Sequence, residues 1–171
     1  MKRHHDQSIL VKEIRPIIFG IEDSLVSTLG VVVGIAASGA ARRDVLVAGI
    51  ILVVVEALSM GSGEYISSKS DEQVRTGAND HLPIQNGFVM WVSYMAAGVV
   101  PLFPFIFFPN STAIPVAITV SALVIFSVGA WKARISLRKT GPLRSGLEML
   151  SISVGAALIG FLLGQIASRI S

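Results

Sequence analysis

Residues 51–68, ILVVVEALSMGSGEYISS, decide how this chain is read. The stretch opens with five apolar residues, as a lipid-facing helix does, and then sets Glu56, Met60 and Glu64 at intervals of four. Positions i, i+4 and i+8 fall in a narrow sector of one helix face. A carboxylate at the centre of a bilayer-spanning helix costs about 3 kcal/mol on insertion scales, so such a group marks function by default.

The flanking chain is as apolar as this stretch. Of 171 residues, 52% are hydrophobic and 15% charged, and the mean hydropathy is +0.70. A bilayer core takes about 20 apolar residues per helix. Five runs of that kind occur, at roughly 17–39, 45–66, 87–108, 112–134 and 145–168. The expected fold is an all-α membrane protein with five transmembrane helices in one domain, 17–171. A polar N-terminal segment, 1–16, precedes it and suits a short interfacial helix. That segment has no apolar core or small-residue cleavage site of the kind a signal peptide needs. With no cysteine in the chain, disulfides and thiolate metal sites are excluded.

The isoelectric point near 9.6 does not require a nucleic-acid partner, because the basic residues report topology instead. Lys2, Arg3, Lys12, Arg15, Lys69, Arg75, Lys132, Arg134, Arg138, Lys139 and Arg144 all fall on one side of the five runs. Arg42, Arg43 and Arg169 fall on the other. The positive-inside rule then places the N-terminus in the cytosol and the C-terminus outside or in a lumen.

Within helix 1, Gly30 and Gly34 form a GxxxG pair and so face another helix closely; Ala156, Gly160 and Gly164 make a similar stripe in helix 5. Asp44 reads as the N-cap of helix 2. Helix 2 is expected to continue past the bilayer through SSKSDEQVR until TGANDHLPIQNG breaks it. Pro101 and Pro104 predict a kink in the outer half of helix 3.

Topology also sets the depth of the acids. Asp23 lies about six residues, or roughly 9 Å, from the cytosolic end of helix 1. Met60 is level with it on helix 2, Glu56 is one turn deeper, and Glu64 and Glu22 flank the site on the cytosolic side. Glu22 can also snorkel to the interface. Carboxylates are hard ligands and a thioether is soft, a mixture that suits a borderline first-row divalent ion better than Mg²⁺ or Ca²⁺. Candidate metal ligands are therefore Asp23, Glu56, Met60, Glu64 and Glu22. Glu148 is a further candidate, although its spacing from Ser145 in SGLE is also that of a capping box. Met60 can equally be packing and Glu64 merely hydrated. His4, His5 and the Asp80–His81 pair read as solvated. Because ligands must be deprotonated to bind, metal entry should expel protons.

The segments GIEDSLVSTLGVVVGIAASG, EALSMGSGEYISS, GVVPLFPFIF and RSGLEML resemble the vacuolar iron transporter family, in order and over nearly the whole chain. The resemblance implies a five-helix homodimer in a lipid membrane. It exchanges Fe²⁺ or Mn²⁺ for protons along a subunit-interface path lined by helices 1 and 2, and Asp23 and Met60 match pathway residues. It also implies that Gly30 and Gly34 meet the dimer partner. It implies no enzyme and no cofactor beyond the transported ion. Two departures stand out. The family's usual Asp-Gly is Asp23-Ser24 here. The cytosolic, Glu- and Met-rich insert that many members carry between helices 2 and 3 is replaced by about 20 residues, whose acids are Asp71, Glu72 and Asp80. The expected membrane is the plasma membrane in a prokaryote and a vacuolar-type membrane otherwise. Two rival readings use the same residues. An intramembrane hydrolase would employ Asp23 and Glu56 as acid and base, but no nucleophile motif, HExxH or paired-Asp protease signature accompanies them. A non-transporting scaffold would leave both acids unexplained.

Overall fold

The computed structural model describes residues 2–75, 82–135 and 141–170, with side chains over 14–74, 83–134 and 141–169. The expected solvated residues His4, His5, Asp80 and His81, and the basic Arg138 and Lys139, lie outside the described side chains. Five helices follow one another: α1 Lys2–Ala37, α2 Arg42–Arg75, α3 Leu82–Phe107, α4 Asn110–Ile135 and α5 Pro142–Ile170. All five contain a span long and apolar enough to cross a membrane: Ile14–Ala37, Arg42–Val74, Pro83–Phe107, Asn110–Arg134 and Pro142–Arg169. Among the described residues there is no strand.

The helices are longer than hydropathy predicts, and each extension has a local cause. Helix α1 runs unbroken from Lys2 through the buried Pro16, so the N-terminal segment is continuous with the first span rather than a separate helix. A proline removes only one helical hydrogen bond, and Pro16 is itself buried in the bundle. Helix α2 does continue to Arg75. Helix α3 begins five residues before its expected start, because Pro83 suits a first helical turn and Gly87 is needed inside the helix. A Cβ on Gly87 would lie 2.7 Å from the Gly61 carbonyl oxygen, which puts the backbones of α2 and α3 in contact.

Two expected caps are overturned. Helix α2 starts at Arg42, where the N–H groups of Asp44 and Val45 both bond the Ala41 carbonyl, at 2.9 and 3.2 Å. Asp44 therefore sits inside the first turn, where its charge meets the positive end of the helix dipole. Helix α5 starts at Pro142, and the Ser145 N–H bonds Gly141 O at 3.1 Å. Ser145 is thus a buried first-turn residue, not the N-cap of a capping box, and Glu148 lies exposed one turn on. The end of α1 follows the usual rule for glycine after a helix. Gly39 takes φ +87°, and its N–H bonds Ala36 O at 3.3 Å. Asn110, at the head of α4, donates to the Ala40 carbonyl at 2.9 Å and ties α4 to this turn.

Helix α1 occupies the centre of the bundle and touches each of the other four. Leu29, Val32 and Val33 of α1 share one core cluster with Val45 and Val53 of α2, Leu102 and Phe105 of α3, Ala113 and Ala117 of α4, and Ala157 of α5. A second cluster gathers Leu25, Ala97, Ile125 and Met149. In lipid there is little hydrophobic gain in bringing helices together, so small residues and close van der Waals contact carry the association. The α1–α5 seam shows this directly. A Cβ on Gly30 would stand 3.3 Å from Ala156 O, and one on Gly34 would stand 2.8 Å from Gly160 O. Both registers advance in the same sense, so α1 and α5 are parallel neighbours. The two small-residue stripes pair with each other inside one chain. The helix that Gly30 and Gly34 face is accordingly α5 of the same chain, which corrects their assignment to a dimer partner. On the outside, Ile50, Ile51, Val54, Val55 and Leu58 of α2 are exposed, the arrangement expected of a helix facing acyl chains.

Candidate functional site

Three helices bring their polar side chains to one place, on the side of α1 where α2 and α3 pack. Glu56 of α2 accepts a hydrogen bond at Oε2 from the Tyr94 hydroxyl of α3. The same hydroxyl is 2.7 Å from Ser27 Oγ on α1. Tyr94 is fully buried, and its backbone carbonyl accepts from Ser24 Oγ at 2.7 Å. Ser24 and Ser27 are separated by three residues and so share a face of α1. Asp23, the residue before Ser24 on α1, is half-buried. Through Tyr94, Glu56 is linked to α1 at Ser27, one turn beyond Asp23.

The direction of the hydrogen bonds follows from proton counting. An ionised carboxylate only accepts, so Tyr94 donates its one hydroxyl proton to Glu56. Ser27 must then donate to the Tyr94 oxygen. The chain Ser27→Tyr94→Glu56 occupies one carboxylate oxygen of Glu56 and leaves Oε1 for another partner. Neighbouring carboxylates repel when both are ionised, and a divalent cation between them reverses the sign of that interaction.

The other expected site residues are distributed differently. Met60 lies one turn from Glu56 on α2 and is half-buried. Glu64 sits a further turn along and accepts from Ser68 Oγ at 3.0 Å; Asn86 Nδ2 of α3 in turn donates to Ser68 Oγ at 3.2 Å. That places Glu64 in a hydrogen-bonded group at the basic end of the bundle, as a flanking residue. Glu22 turns to α4, where Lys132 Nζ is 3.9 Å from its Oε2. Glu148 is exposed on α5. Among the described residues, no three His, Cys, Asp or Glu side chains converge on one point that could hold a metal. One chain therefore presents a pair of acids, Asp23 and Glu56, and a thioether nearby on the same helix as Glu56.

Sequence reasoning missed Tyr94, Ser27 and Ser24. A tyrosine in the middle of an apolar run is a usable signal, since a buried hydroxyl needs a partner. Ser24, which replaces the glycine of the usual Asp-Gly pair, is likewise a polar group that must be satisfied, and it bonds the Tyr94 backbone.

Beyond the Ser27 end of this network, α1 and α5 enclose an open apolar groove of about 570 Å³ that runs along Gly30, Gly34 and Ser38 on α1 and Ile159, Leu163 and Ala167 on α5. The fold and site thus define a polytopic five-helix protein with an intramembrane carboxylate, Glu56, tied through Tyr94 to the first and third helices. A family model described as the VIT family matches residues 14–81 and 72–165. The chain belongs to the VIT family, whose members are transporters and not enzymes. The two matched pieces meet at 72–81, the connection between α2 and α3.

Among curated relatives, Vacuolar iron transporter 1 of Arabidopsis thaliana is 22% identical over 232 aligned positions, covering 99% of this chain and 92% of that protein. Vacuolar iron transporter 1 of Eucalyptus grandis is 24% identical over 226 positions, covering 94% and 89%. An uncharacterised protein of Methanocaldococcus jannaschii is 27% identical over 170 positions, covering 87% of each chain. The two plant alignments are longer than the 171 residues of this chain, so those relatives carry segments with no counterpart here.

Proposed function

We propose that this protein carries Fe²⁺, and with it Mn²⁺, out of the cytosol in exchange for protons. The observation that carries the reading is that two carboxylates, Asp23 and Glu56, lie inside spanning helices that Tyr94 ties together through Ser24, Ser27 and Glu56, with a thioether one turn from the second. Its support from relatives is that two proteins similar along nearly the whole chain are named iron transporters. The working unit is a homodimer. One chain supplies half of a ligand set, and two copies with their α1 and α2 faces together double it. The stripe of α1 that bears Asp23 and Ser27 continues into the open groove, and that continuity favours α1 as the shared wall of the path. The N-terminus lies in the cytosol, since the described basic residues Arg15, Lys69, Lys132, Arg134 and Arg144 gather at one end. Glu64 serves as a flanking ligand at that end. Glu22 is held by Lys132 and plays a secondary part. The membrane is the plasma membrane in a prokaryotic cell and a vacuolar-type membrane otherwise.

Proton exchange follows from ligand chemistry. Asp23 and Glu56 bind metal only as carboxylates, so loading releases protons, and protonation from the far side releases metal. The deciding experiment is flux of Fe²⁺, Mn²⁺, Zn²⁺ and Mg²⁺ into proteoliposomes, anaerobically and at clamped membrane potential. Fe²⁺ and Mn²⁺ should enter and Mg²⁺ should not. Absence of flux for every ion would refute the reading.

A further inference from the structure

We propose that Tyr94 is the positioning residue of this site: its hydroxyl, braced by Ser27, fixes the orientation of the Glu56 carboxylate. The inference rests on the transport reading but assigns a residue that neither the acid pattern nor the family resemblance singles out.

The argument begins with flexibility. Glu56 has three rotatable side-chain bonds and projects from α2, whereas Asp23 has two and is close to the α1 backbone. Left unbonded, the half-buried glutamate would lose its fixed direction. Tyr94 removes that freedom. Its side chain has two rotatable bonds and a rigid ring, and the residue is held at both ends. The Ser24 hydroxyl grips its carbonyl and the Ser27 hydroxyl bonds its phenolic oxygen, each at 2.7 Å. The residue is fully buried, and Gly98, one turn along α3, is so close to α1 and α2 that a Cβ there would lie 2.9 Å from Ser24 Oγ and 2.6 Å from Val53 Cγ2. The tyrosine cannot follow a wandering glutamate. The glutamate takes the direction that the tyrosine sets.

The bond also divides the work of the carboxylate. Oε2 is occupied by Tyr94, which leaves Oε1 for a cation shared with Asp23. A site arranged before the ion arrives needs less ordering when it binds. The cost of losing the hydroxyl therefore appears in affinity for the ion, not in the stability of the bundle. The three partners stand 67 and 38 residues from Tyr94 along the chain in the case of Ser27 and Glu56, and 70 in the case of Ser24, so one side chain joins α1, α2 and α3 at the site.

The test is Tyr94→Phe, which keeps the ring and deletes one oxygen. The full-length protein is reconstituted and initial Fe²⁺ uptake measured against concentration, alone and in a Glu56→Gln background. The expected result is an apparent KM about tenfold higher at an unchanged maximal rate per transporter, the size a hydrogen bond to a charged group commands. In Glu56→Gln the same substitution should change KM less than twofold. Equal effects in both backgrounds, or an unchanged KM in the first, would overturn the assignment. If Tyr94→Phe does not fold, Ser27→Ala takes its place, with an expected two- to threefold rise in KM that also disappears in Glu56→Gln. A second measurement separates this proposal from the transport reading. Infrared spectra locate the Glu56 carboxylate band as the one absent from Glu56→Gln. Tyr94→Phe should shift that band even if the wild-type protein moves no metal; an unmoved band overturns the positioning role, while absent wild-type flux overturns transport alone.

Discussion

Replacing Gly34 with alanine tests the seam that shapes the whole bundle. The new Cβ would stand 2.8 Å from the Gly160 carbonyl oxygen of α5. Ordinary van der Waals contact for such a pair begins at 3.4 Å, so the helices must separate by about 0.6 Å or the seam must slide. The obstructing atom belongs to a helical backbone and cannot rotate away, unlike the end of a side chain. Overpacking of this type costs about 1–3 kcal/mol. For a domain of this length, such a loss lowers Tm by roughly 3–10 °C. The internal control is Gly155→Ala on α5, where a Cβ meets nothing within 4 Å. Both substitutions remove a glycine from a helix interior, a change that by itself favours alanine by up to about 1 kcal/mol. Gly155→Ala should therefore match the wild type or exceed it slightly, and Gly34→Ala should fall well below both. Thermal unfolding in detergent, with the three proteins prepared in parallel, gives the comparison. A Gly34→Ala protein as stable as the wild type, or a Gly155→Ala protein equally damaged, would refute the packing argument. Gly34→Leu should act in the same way and more severely. Its first effect is separation of α1 from α5 within each chain, and any effect on assembly follows from that.

Met60→Leu keeps volume and apolarity but deletes the sulfur. Fe²⁺ transport should fall several-fold while Tm stays within about 2 °C, since a volume-conserving apolar exchange costs little; undiminished transport returns Met60 to packing. Acidifying the compartment that receives the metal should raise uptake in the wild type, because protons displace metal from carboxylate ligands there. Asp23→Asn and Glu56→Gln should each flatten that response, and wild-type flux indifferent to the gradient would indicate a passive channel. Lys132→Met leaves Glu22 without its 3.9 Å partner. The pair is partly exposed and worth at most about 1 kcal/mol, so Tm and the KM for Fe²⁺ should both stay close to wild type; a marked change in KM would return Glu22 to the site.

Much of this architecture is legible along the chain. Five spans follow from apolar runs of the length a bilayer requires, and all five are present. The persistence of α2 through SSKSDEQVR to Arg75 is also a local matter. These properties depend on neighbours within one or two helical turns. The helix starts were less legible. Asp44 and Ser145 are good cap residues by type, yet the chain enters α2 at Arg42 and α5 at Pro142, because short turns and a first-turn proline set the entry.

Only the tertiary structure decided which faces meet. Helices that are apolar nearly all round give hydropathy no direction to report, so partner and rotation are set by packing among all five at once. That is why the GxxxG stripe of α1 could not be assigned to α5 of its own chain from the residues alone. It is also why Glu22, next to Asp23 in the chain, turns to Lys132 of α4. Tyr94 is the clearest case. In the sequence its hydroxyl within an apolar run says that a partner is needed, but not which one. The bundle carries its hydroxyl to a half-buried carboxylate 38 residues away, a pairing that distance along the chain does not report.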